Sequence, residues 1–99
     1  MISRTEKPWG YEELLEQNDV YVVKRLFMKA GHSCSLQYHN KKHETIYVLS
    51  GKLAVSVDDE ETILLVGDAM YFDSGAAHSY RRHGRSACTA IVVVAGSSV

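Results

Sequence analysis

Short runs of β-branched and aromatic residues, each closed by turn-forming residues, dominate this chain. Val20–Met28 reads VYVVKRLFM, and Ala87–Gly96 reads ACTAIVVVAG. Between them, further apolar segments are separated by Ser50-Gly51, by the acidic turn Asp58–Glu61 and by other small or polar residues. Strand and turn signals that alternate roughly every 8–12 residues are typical of an all-β sandwich or barrel built from antiparallel strands.

A chain of 99 residues predicts one domain, residues 1–99. We expect an N-terminal arm over residues 1–18, followed by a β-barrel over residues 19–96. Within the arm, Tyr11, Leu14 and Leu15 share one helical face, but the segment GYEELLEQ is too short to form a stable isolated helix. We therefore predict that the arm is extended.

The composition excludes several partners. With 11 basic and 12 acidic residues, the chain lacks the concentrated positive charge that nucleic-acid binding requires. No apolar run approaches the roughly 20 residues of a membrane span, and the N-terminus has no apolar signal core. The two cysteines, Cys34 and Cys88, do not make a disulfide framework. These features favour a cytoplasmic protein with reduced thiols, which acts on a small molecule rather than on nucleic acid or a membrane.

Four polar side chains have the spacing of metal ligands. Gln37 and His39 are two apart, so on a strand they share one face, and Glu44 opens the next strand after a short loop. His78 opens a later strand. Each signal alone is weak, because a single strand histidine is more often a surface or core residue. Together, an amide oxygen, two imidazoles and a carboxylate suit one divalent ion, with zinc the preferred candidate and manganese, nickel, cobalt or iron the alternatives.

Glycines frame these residues in two blocks. The first block consists of Gly31, Gln37, His39, Glu44 and Gly51. The second consists of Gly67, Asp73, Gly75, His78 and Arg82. This layout resembles the two motifs of the cupin superfamily, which implies that the chain is a small single-domain cupin with a jelly-roll-type antiparallel β-barrel or sandwich. The resemblance implies that Gln37, His39, Glu44 and His78 bind the metal. Departures from the family pattern are Gln37 for the first histidine, Asp73 for a proline and Arg82 for an asparagine.

The wider text resembles the C-terminal cupin domain of type II mannose-6-phosphate isomerases. KPWGYEEL and VKRLFMKAG match the entry and core blocks of that group. The later segment GDAMYFDSGAAHSYRRHG matches its second block, with Ser79 where an arginine is usual. The resemblance implies an aldose–ketose isomerase that acts on a sugar phosphate. A metal in the barrel would bind adjacent oxygens of the open-chain sugar and stabilise an enediolate.

The residues that would complete such a site are less well marked. The base that moves the proton between carbons is unknown, and His43, Lys42 and Tyr47 are weak candidates because they lie beside the proposed ligands. Strand parity places Arg82 on the face of His78, where a guanidinium suits a phosphate or carboxylate group of the substrate. Lys24 and Arg25 face opposite ways, and the sequence does not decide which of them lines the mouth.

Two other functions remain open. Two histidines and a carboxylate also suit an iron-dependent dioxygenase, and a sugar-binding or structural cupin would bind metal without turnover. Ala90–Gly96, AIVVVAG, is apolar on both faces, which is typical of a strand covered by the core on one side and by a partner on the other. We therefore expect a homodimer.

Overall fold

The described part of the computed structural model comprises residues 3–29, 42–73 and 77–96. These residues form nine strands and no helix. The strands are β1 (Ser3–Lys7), β2 (Gly10–Gln17), β3 (Tyr21–Met28), β4 (Lys42–Ser50), β5 (Lys52–Val57), β6 (Glu60–Leu64), β7 (Ala69–Asp73), β8 (His78–His83) and β9 (Cys88–Gly96). The predicted all-β class is confirmed.

Two antiparallel sheets enclose the core. The larger has six strands in the order β1-β2-β3-β9-β4-β7, and the smaller has the order β6-β5-β8. The larger sheet contributes Met28, Ile46 and Val48 to the core, and the smaller contributes Leu53 and Val55, all fully buried. Because alternate residues of each strand point inward, the period of two in the sequence becomes one buried and one outer face. The result is the predicted jelly-roll sandwich.

The N-terminal segment belongs to the larger sheet. We predicted an extended arm over residues 1–18. Ser3–Lys7 and Gly10–Gln17 are extended, but a turn at Pro8 and Trp9 joins them, and they form the antiparallel strands β1 and β2. β2 pairs along β3 with a register shift between Leu14 and Glu16. The carbonyl of Trp9 also accepts a 2.7 Å hydrogen bond from the amide of Lys29. The residues assigned to an arm are thus continuous with the sheet, because β3 would otherwise expose an unpaired edge.

A buried carboxylate joins the first three strands on the outer face of the larger sheet. Glu13 of β2 accepts a 2.7 Å hydrogen bond from Arg25 of β3 at one oxygen and a 3.2 Å bond from Arg4 of β1 at the other. The guanidinium of Arg4 also lies 3.9 Å from the ring centroid of Tyr11, which stacks on Phe27. Both oxygens of Glu13 are therefore used inside the protein.

This network predicts a loss of stability in acid. The hydrogen bond from Arg25, reinforced by Arg4 against the opposing effect of burial, holds the pKa of Glu13 below its ordinary value of 4.5. A carboxyl with a lowered pKa stabilises the fold above its unfolded-state pKa, and that contribution disappears as pH falls through its folded-state pKa. We expect Glu13→Gln to lower the urea midpoint at pH 7. On acidification, the free energy of unfolding of this variant should fall less than that of the wild type.

Glu61→Gln is the matched control, because Glu61 forms an exposed 2.7 Å ion pair with Arg81 and such pairs contribute little. Equal acid sensitivity of the wild type and Glu13→Gln would contradict the assignment.

Two further sequence-based points concern cysteines and membranes. Cys88 is a free, buried thiol, and burial raises its pKa to about 11. Cys34 lies outside the described residues. Within residues 3–29, 42–73 and 77–96, no helix is long and apolar enough to cross a membrane.

Candidate metal centre

Two of the four predicted ligands meet between the sheets. Glu44 lies on β4 of the larger sheet and His78 begins β8 of the smaller one. Both point inward, as the alternation with their apolar neighbours on each strand requires. They are 1% and 0% exposed, and the Oε2 of Glu44 lies 3.6 Å from the Nε2 of His78. That distance is too long for a hydrogen bond.

Burial of Glu44 makes the negatively charged form of its carboxyl unfavourable. Among the described residues, its Oε2 accepts no hydrogen bond. Burial raises the pKa of Glu44 to about 7, and the positive charge of Lys24 opposes this rise. A buried carboxylate costs free energy unless a positive charge neutralises it. The position therefore favours either a bound proton or a bound cation.

Aromatic side chains surround the pair. The ring of Phe72, which lies opposite Glu44 in the β4–β7 register, is 5.0 Å from the ring of His78. The ring of Tyr80 lies 6.0 Å from that of His78 on the same strand. The hydroxyl of Tyr80 is buried and has no hydrogen-bond partner in the described part of the chain. These walls lower the local dielectric and strengthen any charge interaction inside.

The other two predicted ligands, Gln37 and His39, lie outside the described residues. The same holds for the motif glycines Gly31 and Gly75. Within the described ranges, no three residues among histidine, cysteine, aspartate and glutamate gather as a metal site. Nevertheless, one buried carboxylate oxygen and one imidazole nitrogen are a donor pair that suits a divalent cation, and the ion would neutralise Glu44. The residues that are described fit such an ion.

Two of the three weak base candidates, His43 and Tyr47, lie on the other side of the sheet. His43 and Tyr47 alternate with Glu44 and are exposed on the outer face of β4. The Nδ1 of His43 shares a 2.6 Å hydrogen bond with the hydroxyl of Tyr71. Lys42 is the first residue of β4 and pairs with Gly96. The structure thus brings neither His43 nor Tyr47 to the face of Glu44.

Arg82 lies farther along the strand that carries His78. Its position four residues after His78 separates the two by roughly 13 Å along an extended chain. One guanidinium nitrogen of Arg82 donates to the carbonyl oxygens of Gly84 and, at 3.5 Å, Ser86 in the following turn. A substrate phosphate bound by Arg82 would have to compete with these carbonyl oxygens for the guanidinium.

The choice between Lys24 and Arg25 is settled by register. Lys24 pairs with the buried Val92, and the alternate residue Leu26 is in the core, so Lys24 faces inward. Arg25 faces outward to Glu13. The ammonium of Lys24 lies 3.3 Å from the Oε1 of Glu12, a residue that the sequence analysis did not single out. The buried positions two and four residues after Lys24 are the signal that identifies its face.

The fold defines a class of protein, and comparison with known families agrees with it. The profile of the cupin domain family matches residues 14–94. The chain belongs to the cupin domain family.

Curated relatives include a mannose-1-phosphate guanylyltransferase and a xanthan biosynthesis protein. The chain is 31% identical over 91 residues to mannose-1-phosphate guanylyltransferase of Escherichia coli (strain K12), covering 92% of this chain and 19% of that protein. It is also 31% identical over 91 residues to the xanthan biosynthesis protein XanB of Xanthomonas campestris pv. campestris, covering 92% of this chain and 20% of that one. The chain thus spans about a fifth of the length of these relatives.

Solved structures agree on the fold. An RmlC-like cupin from Shewanella frigidimarina superposes with a TM-score of 0.84 at 16% identity, over 98% of this chain and 86% of that one. KdgF from a Halomonas species gives a TM-score of 0.83 at 15% identity, over 95% and 86% of the two chains. At these identities the likeness shows the cupin fold alone.

Proposed function

We propose that this domain binds one divalent metal ion through Gln37, His39, Glu44 and His78, and that it interconverts the aldose and ketose forms of a sugar phosphate. The observation that carries the proposal is the buried pair of Glu44 and His78, supplied by opposite sheets with a 3.6 Å separation. A carboxylate buried without a hydrogen bond at Oε2, among the residues described, is stabilised by a cation.

The residues around Glu44 and His78 have different roles in the proposed reaction. Glu44 and His78 would hold the ion, and Phe72 and Tyr80 keep water away from their inner side. A divalent ion bound there supplies Lewis-acid polarisation of the sugar oxygens. Isomerisation also needs a group that carries a proton between neighbouring carbons. Among the described side chains that face inward and can exchange a proton, Lys24 and Tyr80 are candidates for this group.

The nature of the substrate is supported by the relatives. The E. coli relative is named for mannose 1-phosphate, and its matching region covers most of this chain. A mannose phosphate is therefore the first substrate to test, with mannose 6-phosphate and fructose 6-phosphate as the aldose–ketose pair.

A second candidate function is sugar binding without turnover. It is favoured by the exposed, outward positions of His43 and Tyr47, since two of the residues considered for the base lie away from Glu44. Metal and sugar would then bind at the same inner face, but no proton would move.

Metal analysis joined to an isomerase assay separates these functions. Purified protein is assayed for bound metal, then reconstituted with zinc, manganese, nickel, cobalt or iron and supplied with mannose 6-phosphate. Bound metal with formation of fructose 6-phosphate supports the isomerase. Bound metal and sugar binding with no product supports the second candidate. A protein that takes up none of these metals contradicts both.

We further propose that the domain is a cytoplasmic homodimer, consistent with the free thiol of Cys88. The outer faces of β9 and β4 place Val93, Ile91 and Tyr47 side by side, and Tyr47 is 42% exposed. An apolar sheet face of this kind is a natural self-association surface. Sedimentation should show a dimer that Val93→Lys dissociates and that Ile63→Lys, on the outer strand of the smaller sheet, leaves intact. A dimer that survives Val93→Lys would contradict this surface.

A further inference from the structure

Two ion pairs at neighbouring positions of β2 and β3 differ in how many of their polar atoms have partners. Glu13 and Arg25 lie on the outer face, where Arg4 also binds Glu13, so both carboxylate oxygens have partners. The Glu12–Lys24 pair lies on the inner face, and among the residues described each member makes only the one 3.3 Å contact. One carboxylate oxygen and two ammonium protons are left for another ligand.

Lys24 is the member of the pair that lies nearer to Glu44, whereas Glu12 pairs with Leu26 at the level of Val48. Lys24 pairs with Val92, which in turn pairs with Ile46, two residues from Glu44 on the same face. The charge of Lys24 is also felt at Glu44, where it opposes the rise in the pKa of that carboxyl. The side chains of Glu12 and Lys24 are 23% and 37% exposed, so the pair is open to a ligand.

We infer that Glu12 and Lys24 together bind two neighbouring hydroxyl groups of the sugar, an inference that rests on the proposed sugar-binding function. One hydroxyl donates to the free oxygen of Glu12, and the next accepts from the ammonium of Lys24. A carboxylate beside an ammonium has almost no net charge. The Glu12–Lys24 pair should therefore select ligands by the arrangement of their hydroxyl groups rather than by negative charge. A lone lysine would instead bind the phosphate as a point charge.

Equilibrium binding by calorimetry tests this assignment without depending on turnover. The probes are mannose 6-phosphate and inorganic phosphate, titrated into the wild type, Glu12→Gln and Lys24→Met at fixed metal content. Each variant should weaken mannose 6-phosphate by about tenfold or more, since it removes a hydrogen bond to a charged group. Binding of inorganic phosphate and the metal content should stay unchanged. Arg81→Met removes one exposed, ion-paired charge from the smaller sheet and should bind both probes as the wild type does.

Three results would overturn the inference, and they are distinguishable. If Lys24→Met weakens both probes equally while Glu12→Gln weakens neither, Lys24 is an anion site and the pair does not act together. If both variants bind mannose 6-phosphate as Arg81→Met does, the pair is only a structural contact. If the wild type itself binds no mannose 6-phosphate, the proposed function fails, and the inference fails with it. Thermal unfolding of each variant verifies that a loss of binding is not a loss of fold.

Discussion

His78→Ala and Glu44→Gln should each lose tight binding of a divalent metal. Each substitution removes one of the two buried donors that the structure brings together. Loss of a group that hydrogen-bonds to a metal ligand already weakens metal binding by about 10- to 100-fold. Loss of a ligand itself should therefore weaken binding by roughly 100-fold or more. Elemental analysis after dialysis, followed by competition with a chromophoric chelator, measures the effect.

Matched controls lie on the same strands. His83→Ala removes a histidine from β8 at a position of opposite parity to His78, and Thr45→Ala changes the outward neighbour of Glu44 on β4. Both should keep the metal content of the wild type. Retention of full metal content by His78→Ala would place the site elsewhere and remove the basis of the isomerase proposal.

The same binding should weaken in acid. Because the pKa of Glu44 is raised to about 7 in the metal-free protein, its carboxyl holds a proton below that pH. The metal must then displace this proton, so the apparent Kd should rise by up to about tenfold for each pH unit below 7. The slope should be shallower in Glu44→Gln, because one of the protons that compete with the metal is removed. A pH-independent Kd in the wild type would show that Glu44 is not a ligand.

Gly51→Ala should destabilise the fold more than Gly67→Ala. Gly51 lies between β4 and β5 with a φ of 72°, and an added Cβ would lie 2.2 Å from the carbonyl oxygen of Ala87 and 2.9 Å from the Cα of Cys88. Those atoms are backbone, and Cys88 is buried on β9, so they cannot move cheaply. The left-handed conformation costs about 1–2 kcal/mol, and the overlap adds about 1–3 kcal/mol or more.

Gly67→Ala separates the two contributions. Gly67 also has a positive φ, 89°, but no heavy atom lies within 4 Å of an added Cβ. Its alanine variant should lose only the conformational part, about 1–2 kcal/mol. Urea unfolding of the two variants should therefore differ by roughly 1–3 kcal/mol. Equal losses would mean that the contact with Ala87 relaxes in solution.

The sequence predicts features that repeat along the strands better than features that depend on three-dimensional packing. Alternation predicted the all-β fold, because a period of two is a local property of the chain. The meeting of Glu44 and His78 was expected from their spacing and from the resemblance to cupins, not from alternation. Alternation did not show that the N-terminal segment completes the larger sheet, since pairing of β2 with β3 depends on contacts beyond either strand. Nor did it identify Glu12, whose role is defined by a diagonal contact with Lys24.

Parity also has limits as a guide to function. It placed Arg82 on the face of His78, but the following turn supplies carbonyl oxygens that the guanidinium of Arg82 binds. His43 is next to Glu44 in sequence, but adjacent residues on a strand point to opposite faces of the sheet. The side chain of His43 therefore lies on the face away from Glu44. Gln37 and His39 stay predictions from spacing and resemblance.

Because Glu44 and His78 belong to different sheets, a cation held by both would tie together the two sheets that enclose the apolar core. Ligation and folding are then linked, and the melting temperature becomes a measure of which ion the protein prefers. At a free ion concentration about 100 times Kd, one site adds about 2.7 kcal/mol, which is a rise of roughly 10–20 °C for a domain of this size. A melting series with manganese, cobalt, nickel and zinc would show whether the preference follows the general order of divalent affinities or departs from it.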